Sequence, residues 1–378
     1  MKKNRSASGE NLFFKIVRVA LGLLFVFSST VKGIDPVGTA YRVEDYLLAY
    51  GLDSLSEYKL TLAIILITTE FILGFSLLFK LRYKMAVWGT FLMMLFFLVV
   101  TWFDATKNLV PDCGCFGDAV KLSNWATFYK NIVFGIMALL LLFTVKSSKT
   151  VIKPVLQNII VIVVASGFIW FQFYNFHHLP VIDFRTWKTG RDMKIKNADK
   201  QKVYVIYKNN KTGEVKEYPS NDFPWNDSTW QAQWSFVDQR IDDSEVIKPH
   251  DLVIEDEEGN DVTRDVIENP GYQLLIVSPD LDKANGEGMI KASNLALKLE
   301  QENVETALIC ASGPEEVKKY LKLFKIEYPV YYADDIELKA MIRSNPGMLL
   351  LHNGIILKKW HYNDFPSLAE VKDTMADK

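Results

Sequence analysis

Five long apolar runs occupy the first half of this 378-residue chain, and they restrict the fold more than any other feature. A helix that crosses a bilayer needs about 20 mostly apolar residues, and all five runs approach that length. They are Phe13–Val31, Leu60–Phe79, Met85–Phe103, Thr127–Val145 and Val155–Tyr174. Beyond the last run the chain is polar, with charges of both signs. The pattern predicts a membrane-embedded helical half and a soluble half, and a net charge of -2 does not favour nucleic-acid binding.

Basic residues in the short loops predict the orientation of the chain, because such residues accumulate on the cytoplasmic side. They are concentrated in the N-terminal tail, the second loop and the fourth loop. These residues are Lys2, Lys3, Arg5, Lys80, Arg82, Lys84, Lys146, Lys149 and Lys153. The third loop instead carries Lys107 and Lys121 against Asp104, Asp112 and Asp118. We therefore expect a multi-pass protein of the cytoplasmic (inner) membrane, with a cytoplasmic N-terminus and a periplasmic, extracytoplasmic C-terminal half.

Two of the three cysteines, Cys113 and Cys115, lie in that third loop with one glycine between them. On the outer side of the membrane they would meet an oxidising environment. A disulfide between them closes almost no loop, so it would stabilise the fold little. Zinc requires about four ligands, and the sequence does not supply them nearby, so we expect no metal. Thiol–disulfide exchange is the favoured interpretation.

The neighbours of the cysteines give mixed support to this chemistry. Gly114 and Gly117 permit unusual backbone dihedrals, and a small strained disulfide ring is easily reduced. However, Asp112 and Asp118 would raise a thiol pKa, and no adjacent residue activates a thiolate.

Glu70 lies near the middle of the second apolar run, where an ionisable group costs at least about 2.5 kcal/mol. We expect it to face the interior of the helix bundle, as a proton relay or quinone contact, or as a structural carboxyl that joins helices. Arg18 and Lys32, near the ends of the first run, are predicted to extend their charged groups toward the membrane surface. The candidate contacts of Glu70 are Thr68, Thr69, Arg18 and Asn131.

The segments "RVALGLLFVFSSTVKGIDPVGTAYRVEDYL", "EFILGFSLL", "CGCFGDAV" and "YKNIVFGIMALLLL" resemble the DoxX/MauE group of membrane proteins over roughly residues 11–145. The resemblance implies a four-helix membrane bundle linked to periplasmic disulfide chemistry, or to electron transfer from sulfur compounds to quinone. For the MauE branch it implies maturation of a disulfide-rich partner enzyme. Matching positions are Cys113, Gly114, Cys115, Phe116 and Gly117, with Glu70, Asn131 and the Asp35-Pro36 pair.

The soluble half alternates between strand and helix patterns. "VYVIYKNNKTGEVKEY" predicts a β-hairpin, and "DLVIEDEEGNDVT" predicts a second one with Gly259 in its turn. The strands and helices that follow predict an α/β domain.

The run "SNPGMLLLHNGIILKKW" resembles the closing half of a thioredoxin-like fold, over roughly residues 250–377, which implies a cis peptide bond before Pro346. Redox-active members of that family carry C-x-x-C after the strand that matches "YQLLIVS". This chain has "PDLDKANGEG" there, without cysteine. The remaining cysteine, Cys310, is expected to be buried in a strand. We therefore expect a docking module without thiol chemistry of its own.

These observations predict four regions: a DoxX/MauE-like four-helix membrane domain (1–150), a fifth, linking transmembrane helix (151–178), a β-rich segment (179–248) and a thioredoxin-like domain without C-x-x-C (249–378). The leading hypothesis is a thiol–disulfide oxidoreductase. It would pass electrons through the cysteine pair, between an extracytoplasmic protein with thiols or disulfides and the quinone pool. The competing hypothesis is a non-catalytic scaffold or assembly factor that binds extracytoplasmic proteins through its thioredoxin-like domain.

Overall fold

A computed structural model describes residues 11–110, 114–145 and 152–376. The chain divides into two compact units. Unit 1 comprises Met1–Arg185 with Trp360–Asp364, and unit 2 comprises Thr186–Lys359 with Phe365–Lys378. Unit 1 is helical, whereas unit 2 contains two β-sheets.

Unit 1 is built from six α-helices within its described residues. They are α1 (Leu12–Ile34), α2 (Pro36–Ala49), α3 (Lys59–Phe79), α4 (Tyr83–Lys107), α5 (Asn124–Leu142) and α6 (Pro154–His177). All except α2 are long and apolar enough to cross a membrane. They overlap all five predicted runs, although α5 ends at Leu142, before the end of the fourth run, so the chain is a multi-pass membrane protein. Helix α2 was not predicted; it starts at Pro36, and the Asp35 carboxylate accepts a hydrogen bond from the Gly38 amide at 2.8 Å.

Helices α1 and α3 pack closely through two glycines. A methyl group at Gly22 would lie 2.7 Å from the Leu78 side chain, and one at Gly74 would lie 2.8 Å from the Val26 amide nitrogen. Real side chains do not tolerate such distances. The two glycines therefore allow the backbones of α1 and α3 to approach each other as small residues do in membrane bundles.

Arg18 joins the same two helices. Its Nη1 donates to the carbonyl oxygens of Leu77 and Leu78 at 2.6 and 2.8 Å, at the C-terminal end of α3. Those carbonyls have no partner within their own helix, and the guanidinium satisfies them. Arg18 is buried in the protein. The prediction that it extends to the membrane surface is therefore wrong.

Helix α6 packs against the other helices of unit 1. Gln172 Nε2 donates to Thr68 Oγ1 on α3 at 2.9 Å, and Asn175 Nδ2 donates to the Gly33 carbonyl on α1 at 3.3 Å. The Phe168 ring also stacks on Phe71 of α3. The helix expected as a linker is therefore part of the membrane bundle.

Unit 2 begins with an antiparallel three-stranded sheet in the order β2–β1–β3. Its strands are β1 (Lys202–Asn209), β2 (Val215–Pro219) and β3 (Trp234–Asp242). Strands β1 and β2 confirm the first predicted hairpin. Trp230, on the short helix α7 (Ser228–Gln231), packs its ring edge-on against Tyr207 of β1, at 4.7 Å between ring centres.

The second sheet of unit 2 has six strands in the order β4–β7–β6–β5–β8–β9. Strands β5, β6 and β7 are parallel, while β8 is antiparallel to β5 and β4 to β7. Its elements in chain order are β4 (Ile254–Glu255), α8 (Thr263–Ile267), β5 (Tyr272–Ser278), α9 (Gly286–Glu300), β6 (Val304–Cys310), α10 (Pro314–Phe324), β7 (Val330–Ala333), α11 (Asp335–Met341), β8 (Gly347–His352), β9 (Ile355–His361) and α12 (Leu368–Ala376). The predicted α/β alternation is confirmed.

Two details of this sheet bear on the sequence predictions. The Asn345–Pro346 peptide bond is cis, as predicted. The predicted hairpin around Gly259 is present in a short form, because Glu255 forms an antiparallel bridge with Asp261 and Gly259 lies in the turn with φ of +81°. Strand β4 also pairs antiparallel with β7, which was not predicted. That pairing joins segments far apart in sequence, which local patterns do not reveal.

Candidate functional site

A cavity of about 380 Å³ lies inside unit 1, next to the cysteine loop. Its walls come from α1 to α5 and from the described part of that loop. Most of the wall is apolar, with leucine, phenylalanine and valine side chains. The chemically distinctive residues on it are Lys32, Arg42, Glu70, Cys115, Lys130 and Asn131. The cavity thus brings together Cys115, Glu70 and Asn131, which the sequence singled out separately.

Cys115 is half-buried on the wall of this cavity. Its carbonyl oxygen accepts a hydrogen bond from Ser28 Oγ of α1 at 2.7 Å. Helix α1 therefore fixes the backbone of the cysteine loop. Cys113, the other predicted site cysteine, lies outside the described residues.

Gly114 and Gly117 have left-handed backbone conformations, with φ of +60° and +52°. The Gly117 amide donates to the Gly114 carbonyl at 2.9 Å, which closes a tight turn around Cys115. Glycine adopts such dihedrals without the steric cost that other residues incur. The predicted use of both glycines for unusual dihedrals is confirmed.

Phe116 follows Cys115 and is held between two neighbours. The Lys130 Nζ of α5 lies 4.3 Å from the centre of its ring, and the Phe27 ring of α1 lies 5.8 Å away, centre to centre. An ammonium over an aromatic face is attracted by the ring's electron density. Phe116 therefore connects the cysteine loop to both α1 and α5.

Glu70 forms a buried ion pair with Lys32, its Oε2 accepting from the lysine Nζ. The two side chains are only 4% and 6% exposed. Side chains lean toward the N-terminus of their helix, so residues on the antiparallel helices α1 and α3 can lean toward each other. Lys32 was absent from the predicted contacts of Glu70, and its predicted extension to the membrane surface is wrong.

Asn131 is buried on α5, where its Nδ2 donates to Thr101 Oγ1 of α4 at 3.3 Å. It lines the same cavity as Glu70, but its hydrogen bond runs to α4. Asn131 therefore joins α4 to α5 and presents an amide to the cavity.

Asp104 was assigned to the third loop on sequence, but it lies within α4 and is 1% exposed. Its Oδ2 accepts a hydrogen bond from the Tyr46 hydroxyl of α2 at 2.6 Å. Within the described ranges its Oδ1 has no hydrogen-bond partner. Asp104 therefore anchors α2, whose residues Tyr46 and Arg42 line the cavity.

Sequence reasoning missed three cavity residues: Ser28, Arg42 and Lys130. The signal for Lys130 was available, because it is a cation inside the fourth apolar run, where ionisable residues are costly and tend to be functional. Arg42 lies on α2, which was not predicted, and Ser28 is a small polar residue inside the first apolar run. Neither residue type marks a site by itself.

In unit 2, the segment after β5 is where redox-active thioredoxin-like proteins carry C-x-x-C. In this chain side-chain hydrogen bonds hold that segment. The Asn345 side chain accepts from Ser278 Oγ and donates to the Asp280 carbonyl, both at 2.7 Å. These bonds tie the segment after β5 to the residue before Pro346. Cys310, at the end of β6, is fully buried, and burial raises the pKa of its thiol to about 11. The predicted burial of Cys310 is confirmed.

Comparison with known proteins gives one family match. Residues 10–144 match a family described as methylamine utilisation protein MauE. This match and the five apolar helices fit a MauE-type membrane protein. No curated protein matches the chain.

The family description refers to methylamine utilisation, which is a statement about that family. For this chain the match, together with the five apolar helices, supports a multi-pass membrane protein. The matched range contains the cavity residues named above and ends before unit 2.

Proposed function

We propose that this protein is a membrane thiol–disulfide oxidoreductase. Cys113 and Cys115 would exchange electrons with a thiol-bearing protein outside the membrane and with a quinone held in the cavity of unit 1. One observation carries the proposal. The cavity has Cys115 on one wall and the buried Lys32–Glu70 ion pair on another, so a thiol and a proton-carrying pair adjoin the same apolar space.

The cavity residues fit a quinone head group. The volume of about 380 Å³ is within the usual range of small-molecule pockets, roughly 300–1,000 Å³. Its apolar walls suit a lipophilic ring. Lys32, Lys130 and the Asn131 amide are the hydrogen-bond donors that carbonyl oxygens require.

The first step of the proposed mechanism takes place at the cysteine pair. A partner thiolate attacks the Cys113–Cys115 disulfide and forms a mixed disulfide. The partner's second thiol then displaces the bound cysteine sulfur, which takes up a proton. The partner leaves with a new disulfide, and Cys113 and Cys115 are both thiols.

The second step returns the cysteines to the disulfide and releases two electrons and two protons. A bound quinone would serve as the oxidant, because its reduction to the quinol takes up two electrons and two protons. Glu70 can accept a proton and pass it on, while Lys32 stabilises its charged form.

Unit 2 would present or recognise the partner protein. The segment after β5 has no cysteine, and Cys310 is buried, so unit 2 offers no accessible thiol pair. The resemblance to thioredoxin-like proteins that lack the reactive cysteines supports a docking role. The basic loops of unit 1 favour its placement on the extracytoplasmic side.

The decisive experiment measures oxidation of the cysteine pair by quinone in the full chain. A Cys310→Ala variant in lipid nanodiscs is reduced, freed of reductant without oxygen and mixed with a short-chain quinone. Alkylation of the remaining thiols, followed by mass spectrometry, gives the oxidation state of Cys113 and Cys115. We expect both thiols to be lost for each quinol formed, with quinol measured by absorbance.

The matched control carries Cys113→Ser in addition. Its single thiol at Cys115 cannot form the internal disulfide, so quinol formation should stop. If Cys113 and Cys115 stay reduced in the presence of quinone, the oxidoreductase proposal is wrong. The non-catalytic scaffold or assembly factor would then be the better description.

A further inference from the structure

The sequence left one difficulty, because the acidic neighbours of the cysteines disfavour a thiolate and no activating group was visible. The structure brings a cation to the cysteine loop from a different helix. Lys130 of α5 and Cys115 line the same cavity, and the lysine Nζ lies 4.3 Å from the ring centre of Phe116, the next residue after Cys115. The ammonium is therefore held beside the loop.

A second cation comes from α2. Arg42 lines the cavity, and its Cγ would lie 3.1 Å from a methyl group placed on Gly114. Its Nη1 also pairs with Asp45 at 3.2 Å. The Asp45 side chain is 41% exposed, so water and salt screen this pair. The Arg42 side chain lies against the residue that precedes Cys115.

Two further charged groups line the cavity, Lys32 of α1 and Glu70 of α3, and they neutralise each other in their ion pair. Within residues 11–110, 114–145 and 152–376, Lys130 has no carboxylate at salt-bridge distance. The remaining titratable groups on the cavity wall are Tyr46 and Tyr50. The surrounding elements also carry Tyr41 and Glu44 on α2, Tyr83, Lys84, Asp104 and Lys107 on α4, Tyr129 on α5, and Asp118 and Lys121 on the loop.

A cation near a thiol favours its deprotonated form, and a low dielectric strengthens the effect. We propose that Lys130, assisted by Arg42, stabilises the thiolate of Cys115 and acts as a positioning residue of the thiol site. The inference rests on the proposed function, because it assigns the activation of that site. A stabilised thiolate attacks or departs more readily during disulfide exchange.

The test measures the reactivity of Cys115 as a function of pH, without quinone or partner. The full chain carries Cys113→Ser and Cys310→Ala, so Cys115 is its one thiol. It is reduced in nanodiscs and alkylated with iodoacetamide from about pH 5 to about pH 10, a range that brackets ordinary thiol pKa values. The variants compared are Lys130→Gln, Lys130→Arg, Arg42→Gln and Lys59→Gln.

We expect Lys130→Gln to raise the midpoint of the pH profile by about one pH unit and to slow alkylation about tenfold below the midpoint. Lys130→Arg should restore the profile, because it keeps the charge. Arg42→Gln should raise the midpoint by a smaller amount. Lys59→Gln is the matched control, since Lys59 pairs with Glu44 and does not line the cavity.

The inference is overturned if Lys130→Gln leaves the midpoint unchanged, if Lys130→Arg fails to restore it, or if Lys59→Gln shifts it equally. Arg42→Gln, on a different helix, keeps the idea testable if Lys130→Gln does not fold. A shifted midpoint together with failure of quinone oxidation would refute the proposed function while leaving the thiolate effect intact. If quinone oxidises the cysteines but Lys130→Gln does not shift the midpoint, the proposed function stands and the thiolate effect is refuted.

Discussion

The two units contain buried ionisable groups in different surroundings. At its cavity, unit 1 keeps Lys32 and Glu70 together as an ion pair. In unit 2, burial favours the neutral form of three groups: it lowers the pKa of His250, and it raises the pKa of Cys310 to about 11 and that of Tyr328 to about 12. All three are neutral near pH 7. The difference concentrates charge and proton chemistry around the cavity of unit 1.

The physical reason lies in the kind of packing. In unit 1, charged side chains from separate helices meet at a cavity, where each compensates the other. In unit 2, loss of hydration is the largest effect on His250, Cys310 and Tyr328, so the neutral form of each has the lower free energy. Four predictions test this contrast, beginning with the largest expected effect.

Glu70→Gln should destabilise unit 1 by about 3–5 kcal/mol, because it leaves the Lys32 ammonium buried without its partner. The double variant Lys32→Met with Glu70→Leu removes both charges and should recover most of that loss. The free energy of unfolding can be measured by SDS titration in mixed micelles. Equal losses in the single and double variants would contradict the ion-pair interpretation.

Cys310 should be alkylated about 100-fold more slowly than an ordinary exposed thiol near pH 7, because a pKa raised from 9.0 to about 11 lowers the thiolate fraction by that factor. Cys115, on a cavity wall, should react much faster. Mass spectrometry of the Cys113→Ser chain after timed alkylation gives both rates. Similar rates at the two cysteines would remove the contrast between the units.

Unit 2 should lose stability as the pH falls below about 6.5, the ordinary pKa of histidine. The pKa of His250 is lowered in the folded state, so the unfolded chain takes up a proton that the folded site resists. The contribution is present above that pH and lost below it. Hydrogen exchange of the β5 amides in the full chain reports it.

The variant His250→Gln should flatten this pH dependence. His352→Gln is the matched control, because His352 keeps more contact with solvent at the end of β8. An unchanged pH dependence in His250→Gln would assign the effect to other groups.

The smallest expected effect concerns the hydrogen bond that fixes the cysteine loop. Ser28→Ala removes the donor to the Cys115 carbonyl and should cost about 1 kcal/mol. Ser29→Ala is its control, because the Ser29 hydroxyl bonds to Phe25 within the same helix. Faster hydrogen exchange at Gly117 in Ser28→Ala, but not in Ser29→Ala, would confirm the anchor. Equal exchange in both would contradict it.

Much of the fold was predictable from sequence, because bilayer thickness sets the length of an apolar helix and tight turns set strand pairing. The spanning helices and the β1–β2 hairpin follow from those rules. Helix α2 was missed because its composition is mixed. Asp104 was misassigned because the apolar run stops at Phe103, whereas hydrogen bonding continues the helix to Lys107.

The candidate site was predictable only in part. The sequence indicated Cys115 and Glu70 separately, Cys115 as a thiol in a loop and Glu70 as an acid in an apolar run. The ion pair between Glu70 and Lys32 could not be predicted, because the two residues lie 38 positions apart in sequence and no local pattern links them. The same holds for Lys130, which reaches the cysteine loop only through the packing of α5. Composition identifies the reactive groups, but helix packing decides which of them meet.

The two attachments of α1 to α3 have a mechanical consequence. Arg18 binds the end of α3 and Lys32 binds Glu70, about 21 Å apart along α1 at about 1.5 Å per residue. With the glycine contact between them, the helices cannot slide past each other by one turn without breaking both attachments. Helices α1 and α3, which form this side of the cavity, therefore keep their relative position. Any widening that admits or releases a ligand must therefore come from α2, α4 and α5.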